Sequence, residues 1–160
     1  MSVCVHAATY TVAACTYFLC YAETVNETGF IQKINKQLSS NIYKWKINDP
    51  YHGGVPDAYY SGPSGCVFVE YKYKPKLPVK DTSKIDFNLS KQQELWLTQQ
   101  AANQVSVYVL AGCEDKVTQV SCNFNKVNNY TKQTFLEDAM DIKQAAFLLN
   151  ARLGGTDERH

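Results

Sequence analysis

A β-hairpin signal in the first half of the chain most limits the folds open to it. Two runs rich in tyrosine, valine and phenylalanine, 56–61 and 66–73, are separated by the turn residues Gly62, Pro63 and Gly65. Such runs around a short Gly- and Pro-containing segment are typical of antiparallel strands joined by a tight turn. Pairing across the turn brings residues at the open end of the hairpin together, although they are far apart in sequence.

The rest of the chain alternates between helical and strand periodicity. Apolar residues recur at helical spacing after Asn26 and after Ser90, two residue types that cap helices, and the second helix is expected to bury Leu95 and Trp96. The predicted elements are a helix over 27–39, a strand over 42–47, the two hairpin strands, a helix over 90–102, a strand over 105–109, a weaker strand over 117–122, and a C-terminal helix that carries Phe135 to Leu149 and ends near Gly154 and Gly155. The order α-β-β-β-α-β predicts an α/β fold with a mixed sheet of four to five strands flanked by helices.

Length and composition favour one domain. The 160 residues are 45% hydrophobic and 19% charged, enough to bury a single core. Residues 1–22 carry no charged side chain, yet threonines and tyrosines interrupt the segment and no Lys or Arg precedes it, unlike a secretory signal or a membrane span. We therefore expect an uncharged N-terminal extension over 1–22, a domain over 23–151, a tail over 152–160, and no membrane partner.

The cysteines leave two interpretations open. Six cysteines would suit three disulfides in a secreted protein, and Asn26, Asn88 and Asn129 would then be glycosylation candidates. A domain of this size does not need such cross-links, and no Cys-x-x-Cys pair suggests a metal site. Most of the cysteines are therefore interpreted as small buried hydrophobic residues of a cytoplasmic protein.

The residues that could carry chemistry lie on the hairpin. Glu70 and Lys72 leave the same face of their strand, and antiparallel pairing can bring Asp57 near Glu70 although twelve residues intervene. Two carboxylates and an amine suit hydrolysis of a phosphodiester with Mg²⁺, which needs only one or two protein carboxylates beside the substrate phosphate. The alternative is an ordinary surface Glu–Lys pair opposite a turn aspartate.

Three sequence runs resemble the PD-(D/E)XK nuclease superfamily. They are His-Gly-Gly-Val-Pro-Asp at 52–57, Val-Phe-Val-Glu-Tyr-Lys at 67–72 and Leu-Ser-Lys-Gln-Gln-Glu-Leu-Trp at 89–96. The resemblance covers about residues 27–111 and is to the small virus-type replication and repair nucleases and the phage Holliday-junction resolvases. It implies a restriction-endonuclease-like core and a metal-dependent endonuclease that cuts branched or structured DNA in phage-type replication, recombination or repair.

The same resemblance implies roles for individual residues. Asp57, Glu70 and the backbone carbonyl of Tyr71 would bind Mg²⁺, for which Mn²⁺ could substitute, and Lys72 would be the catalytic lysine. A carboxylate at the start of the first helix would complete the site. Glu27 has that place, with Glu23 as a rival. The glutamine that starts the second core helix corresponds to Gln93, or to Gln92 if the alignment shifts by one residue.

DNA is the expected partner, held by local charge because the net charge is only +1. The lysine loop, residues 74–84, follows the active strand, and its lysines can hold a phosphate backbone, with two more on the first helix: Lys74, Lys76, Lys80, Lys84, Lys33 and Lys36. A resolvase also implies a homodimer, since paired cuts need two symmetric sites. The alternatives are a catalytically silent nucleic-acid-binding module and a secreted disulfide-stabilised protein.

Overall fold

The computed structural model describes residues 25–156. The elements are α1 (Glu27–Asn35), β1 (Tyr43–Lys46), β2 (Ala58–Gly62), β3 (Gly65–Lys74), α2 (Lys91–Ala102), β4 (Val107–Cys113), β5 (Lys116–Val120), a 3₁₀ helix (Phe124–Asn129), α3 (Lys132–Asp138), β6 (Met140–Asp141) and α4 (Ile142–Leu153). The predicted α/β class, the mixed sheet flanked by helices and the α-β-β-β-α-β order are confirmed.

The strands form one mixed sheet in the order β1-β2-β3-β4-β5-β6. β3 and β4 are parallel and connected through α2, whereas every other neighbouring pair is antiparallel. A parallel pair needs such a crossover, and the helical segment after the hairpin supplies it. The sheet has six strands rather than four to five, because the two-residue strand β6 adds an edge beside β5.

Helices cover both faces of the sheet, so the core has two halves. On the α1–α4 face, the buried side chains include Phe30, Ile34, Tyr60, Val67, Val69, Tyr71, Ala146 and Leu149. On the α2 face they include Ile85, Phe87, Leu97, Val107, Val109, Phe124 and Phe135. The alternation of Val67, Val69 and Tyr71 with Phe68 and Glu70 assigns the two faces of β3.

The C-terminal segment was predicted as one helix, which was wrong. α3 ends at Asp138, and Asp141 caps the separate helix α4 with a reciprocal bond to Gln144. Phe135 lies in the core half under α2, whereas Ala145 lies in the half under α1. The break lets the chain pass around the sheet edge from one face to the other.

Two details of the predicted helices also differ. α1 ends at Asn35, before the predicted residue 39. In α2, whose cap Ser90 bonds reciprocally with Gln93, Leu95 is 64% exposed and the buried position is Leu97. Trp96 is half-buried and packs edge-on against Phe68 across the sheet face. Leu95 therefore points away from the sheet that α2 covers.

The hairpin is attached to the end of α4. Its tight turn is anchored by the Ser64 N–H, which donates to the Leu153 carbonyl at 3.0 Å. Gly62 lies against the same carbonyl, where a Cβ would collide with the backbone. The C-terminal helix thus fixes the closed end of the hairpin whose open end carries the candidate catalytic residues.

Two further findings concern the alternatives raised by the sequence. Among the helices formed by residues 25–156, none has the length and apolar character needed to span a membrane. Cys66, Cys113 and Cys122 are free thiols. The other three cysteines, Glu23 and the extension over 1–22 lie outside the described residues.

Candidate active site

The site forms where β3 extends beyond the end of β2. The register that pairs Ala58 with Val69 places Asp57 opposite Glu70, as the hairpin predicts. Beyond this point β3 has no partner on its β2 side, so its N–H groups there need other acceptors. The Asp57 carboxylate accepts the Tyr71 N–H at 2.8 Å. The N–H and C=O of one residue in an extended strand point to the same side, so the Tyr71 carbonyl also faces the Asp57 side of β3.

Glu70 is the buried carboxylate of the site, with 1% of its surface exposed. Its Oε1 lies 2.8 Å from Lys72 Nζ and accepts a hydrogen bond from Gln93 Nε2 at 2.5 Å. Burial, reinforced by the charge of Asp57 and opposed by Lys72, raises the pKa of Glu70 to about 7. The structure therefore brings Asp57, Glu70, Lys72 and Gln93 together.

The second oxygen of Glu70 distinguishes the Glu70–Lys72 ion pair from an ordinary surface ion pair. Oε2 is buried and has no hydrogen-bond partner among residues 25–156. Buried carboxylate oxygens are normally paired, because loss of hydration without a new partner is costly. An unpartnered oxygen here fits an atom that binds a ligand from outside the chain.

Glu27 enters from the first turn of α1. The residue is exposed as a whole, but its carboxyl group is partly enclosed by the site. Partial burial and the charge of Asp57 raise its pKa, whereas Lys72 and the backbone N–H of Tyr73 oppose the rise. Asp57 thus takes up one N–H group of this unpaired stretch of β3, and Glu27 lies beside the next N–H on the same side, that of Tyr73.

Two glycines position the loop that precedes Asp57, a feature that sequence reasoning recorded without assigning it a role. Gly54 has φ +87°, and a Cβ there would lie 2.6 Å from the Gln92 carbonyl oxygen. A Cβ on Gly53 would meet the Gln92 side chain instead. The loop therefore lies on the first turn of α2, and of the two candidate glutamines Gln92 contacts this loop while Gln93 reaches Glu70.

The predicted DNA-binding lysines lie outside this cluster. Lys33 and Lys36 are exposed on or just after α1, and Lys76 and Lys80 are exposed in the lysine loop, while Lys74 is half-buried. Lys84 donates to Asn129 Oδ1 at 3.0 Å, so part of the charge of the loop is engaged within the protein. A cavity of about 260 Å³ opens beside Asp57 between α1 and β1, and its lining includes Lys44 and Lys46.

The donor set fits a hard divalent cation that also binds a substrate. Within the described part of the chain, no three His, Cys, Asp or Glu side chains lie together closely enough to hold a metal ion by themselves. Mg²⁺ does not require such a cage, because it keeps several waters and takes one or two carboxylates beside substrate phosphates. Asp57, the unpartnered Glu70 Oε2 and the Tyr71 carbonyl are all oxygen donors of the type it prefers.

Comparison with known proteins finds similarity among solved structures. No protein-family model and no curated protein matches the sequence. Among solved structures, Hjc, a Holliday junction resolvase from the archaeal hyperthermophile Archaeoglobus fulgidus, is similar with a TM-score of 0.44 and 12% sequence identity. The match covers 75% of this chain and 99% of the resolvase chain.

Proposed function

We propose that the protein is a metal-dependent endonuclease that hydrolyses phosphodiester bonds of branched or structured DNA, in phage-type replication, recombination or repair. The observation that carries the proposal is the buried Glu70 carboxylate, which has Lys72 and Gln93 on one oxygen and no partner on the other. A surface Glu–Lys pair would be solvated. This pair is enclosed beside a second carboxylate, Asp57.

Each residue has a role in this proposal. Asp57, Glu70 and the Tyr71 carbonyl, with Glu27 from α1, would hold Mg²⁺ or Mn²⁺. The chemistry that a bound Mg²⁺ supplies is acidification of a water molecule and neutralisation of phosphate charge. Lys72 places its Nζ at the same point, where it would stabilise negative charge on the reacting phosphate. Gln93 holds Glu70 Oε1 in position.

The domain bounds, the DNA contact, the oligomeric state and the location belong to the same proposal. The nuclease domain spans 23–151, the lysine loop holds the DNA backbone, and a homodimer places two sites on a junction. The proposed location is the cytoplasm, where thiols stay reduced. The molar mass from light scattering tests the dimer directly.

The decisive experiment is a cleavage panel with labelled four-way junctions, forks, nicked duplexes and blunt duplexes, each with Mg²⁺ and with EDTA. The proposal expects cleavage with Mg²⁺ or Mn²⁺, none with EDTA, and a preference for branched substrates. Lys72→Ala and Glu70→Gln are the test variants, and Lys143→Ala on α4 is the matched control. If the wild-type protein binds these DNAs but cuts none with either metal, the catalytically silent binding module replaces the nuclease.

A further inference from the structure

Four aromatic side chains form a continuous row across one face of the sheet. This aromatic row consists of Trp45 on β1, Tyr59 on β2, Phe68 on β3 and Trp96 on α2. Trp45 is paired with Tyr59, and Tyr59 with Phe68, as direct cross-strand neighbours. The successive ring centroids are 6.2, 5.1 and 5.4 Å apart.

The aromatic row is open to solvent at its outer end. All four residues of β1 are exposed, and Trp45 has 51% of its surface accessible. Tyr59 and Phe68 are half-buried, because α2 packs on β4 and reaches β3 through Trp96 and Gln93, and it does not pack on β1. Large exposed aromatic surface at a sheet edge favours self-association, and such exposed patches mark sites that bind a partner or ligand.

The aromatic row runs directly beside the candidate active site. Glu70 follows Phe68 by two residues on the same face of β3, and Asp57 precedes Tyr59 by two residues on the facing strand. Two strand residues span roughly 7 Å. At the other end, α2 carries both Trp96 and Gln93, the residue that binds Glu70.

We propose that the aromatic row stacks the bases of an unpaired DNA segment that adjoins the scissile phosphate. Planar rings at successive positions, next to basic groups, are how proteins bind single strands without sequence preference. The basic group on this face is Lys72 at the site itself. Lys44 and Lys46 alternate with Trp45 on β1, so they lie on the opposite face of the same edge strand, beside the cavity next to Asp57. The inference rests on the proposed function and narrows it, since the preferred substrate then has a single-stranded arm at the cut.

A fluorescence measurement tests this surface directly, because both tryptophans of the chain belong to the aromatic row. The full-length protein is titrated in EDTA with oligothymidylate, with a blunt duplex, and with the same duplex carrying a single-stranded arm. We expect quenching of tryptophan emission by the oligothymidylate and by the armed duplex. The blunt duplex is expected to bind with little quenching.

Substitutions separate ring stacking from simple apolar contact. Trp45→Leu should weaken binding of the armed duplex roughly tenfold, whereas Trp45→Phe, which retains a ring, should weaken it only about threefold. Affinity for the blunt duplex should not change. Phe147→Ala removes an exposed ring from α4 on the other side of the sheet and should have no effect.

The outcomes distinguish this inference from the proposed function. If the protein cuts DNA but Trp45→Leu binds the armed duplex as tightly as wild type, the inference fails and the nuclease stands. If no DNA is cut but quenching depends on Trp45, the nuclease fails and a single-strand-binding face remains. A solution mass that falls to the monomer in Trp45→Leu would instead identify the row as an interface between two copies and overturn the inference.

Discussion

At the scale of single residues, Asp57 shows how the pairing of the hairpin strands positions a candidate metal ligand. Its carboxylate accepts the Tyr71 N–H and lies opposite Glu70, so it is held by backbone geometry at the point where two negative charges meet. It is far in sequence from the lysine loop. Removal of this carboxylate should therefore separate catalysis from DNA binding.

We predict that Asp57→Ala lowers the rate of Mg²⁺-dependent cleavage by about 100-fold or more, because it removes a metal ligand. Junction affinity measured by fluorescence anisotropy in EDTA should stay within about twofold of wild type, since the lysines remain. Asp57→Asn, which keeps an acceptor for the Tyr71 N–H, controls for loss of structure. Cleavage by Asp57→Ala at the wild-type rate would refute the assignment.

Glu70 predicts an unusual pH dependence of stability. Burial raises its pKa from near 4.5 to about 7, so between these values the folded protein binds a proton that the unfolded chain has released. The free energy of unfolding should then fall by about 3 kcal/mol as the pH rises from 4.5 to above 7 in metal-free buffer.

Urea unfolding at pH 5 and pH 8 in EDTA measures this effect. Glu70→Gln should remove most of it and leave the smaller contribution of Glu27, whose pKa is also raised. Added Mg²⁺ should restore stability at pH 8, because it binds the folded protein with its carboxylates ionised. A stability that rises between these two pH values in the wild type would contradict the predicted burial of charge.

At the scale of elements, the site depends on how closely the loop before Asp57 approaches α2. We predict that Gly54→Ala destabilises the fold by about 1–2 kcal/mol or more, since the position has φ +87° and its Cβ would meet the backbone of Gln92. Cleavage should decrease with it, because Asp57 is three residues downstream.

The neighbouring glycine provides the control for this prediction. A Cβ on Gly53 would meet only the end of the Gln92 side chain among its nearest atoms, which can move aside, so Gly53→Ala should be milder. Thermal unfolding and cleavage rates measure both variants. Equal effects at the two positions would show that the backbone approach at Gly54 is not what positions Asp57.

The elements also show which features sequence reasoning can reach. The short turn of the hairpin implied the pairing of Asp57 with Glu70, because local turn chemistry determines the register. The predicted C-terminal helix is in fact two helices. Its division was missed because the apolar spacing of α3 continues into α4, although the two helices pack on opposite faces of the sheet. The contacts of Gly54 and of Tyr73 depend on tertiary packing, which no local pattern encodes.

At the scale of the whole molecule, a net charge of +1 means that DNA binding must come from local clusters. We predict that replacing Lys74, Lys76, Lys80 and Lys84 with alanine reduces the slope of log affinity against log salt by about four. Sequence preference should not change. The measurement is anisotropy with a blunt duplex at several salt concentrations, with Lys143→Ala as the control.

A smaller change in slope has its own interpretation. Lys84 already donates to Asn129, so a reduction of about three would indicate that this lysine stays with the protein. An unchanged slope would exclude the lysine loop as the phosphate contact. Lys33, Lys36, Lys44 and Lys46 would then be the next cluster to replace.

The overhang of β3 beyond β2 affects how such a site can persist while its sequence drifts. Asp57 is held by the peptide N–H of residue 71, and Glu27 lies beside the peptide N–H of residue 73, groups that every amino acid except proline provides. Side chains at these two positions can change without loss of the anchoring donors. The arrangement of the site can therefore be retained through the length of β3, while the side chains at these positions of the strand diverge.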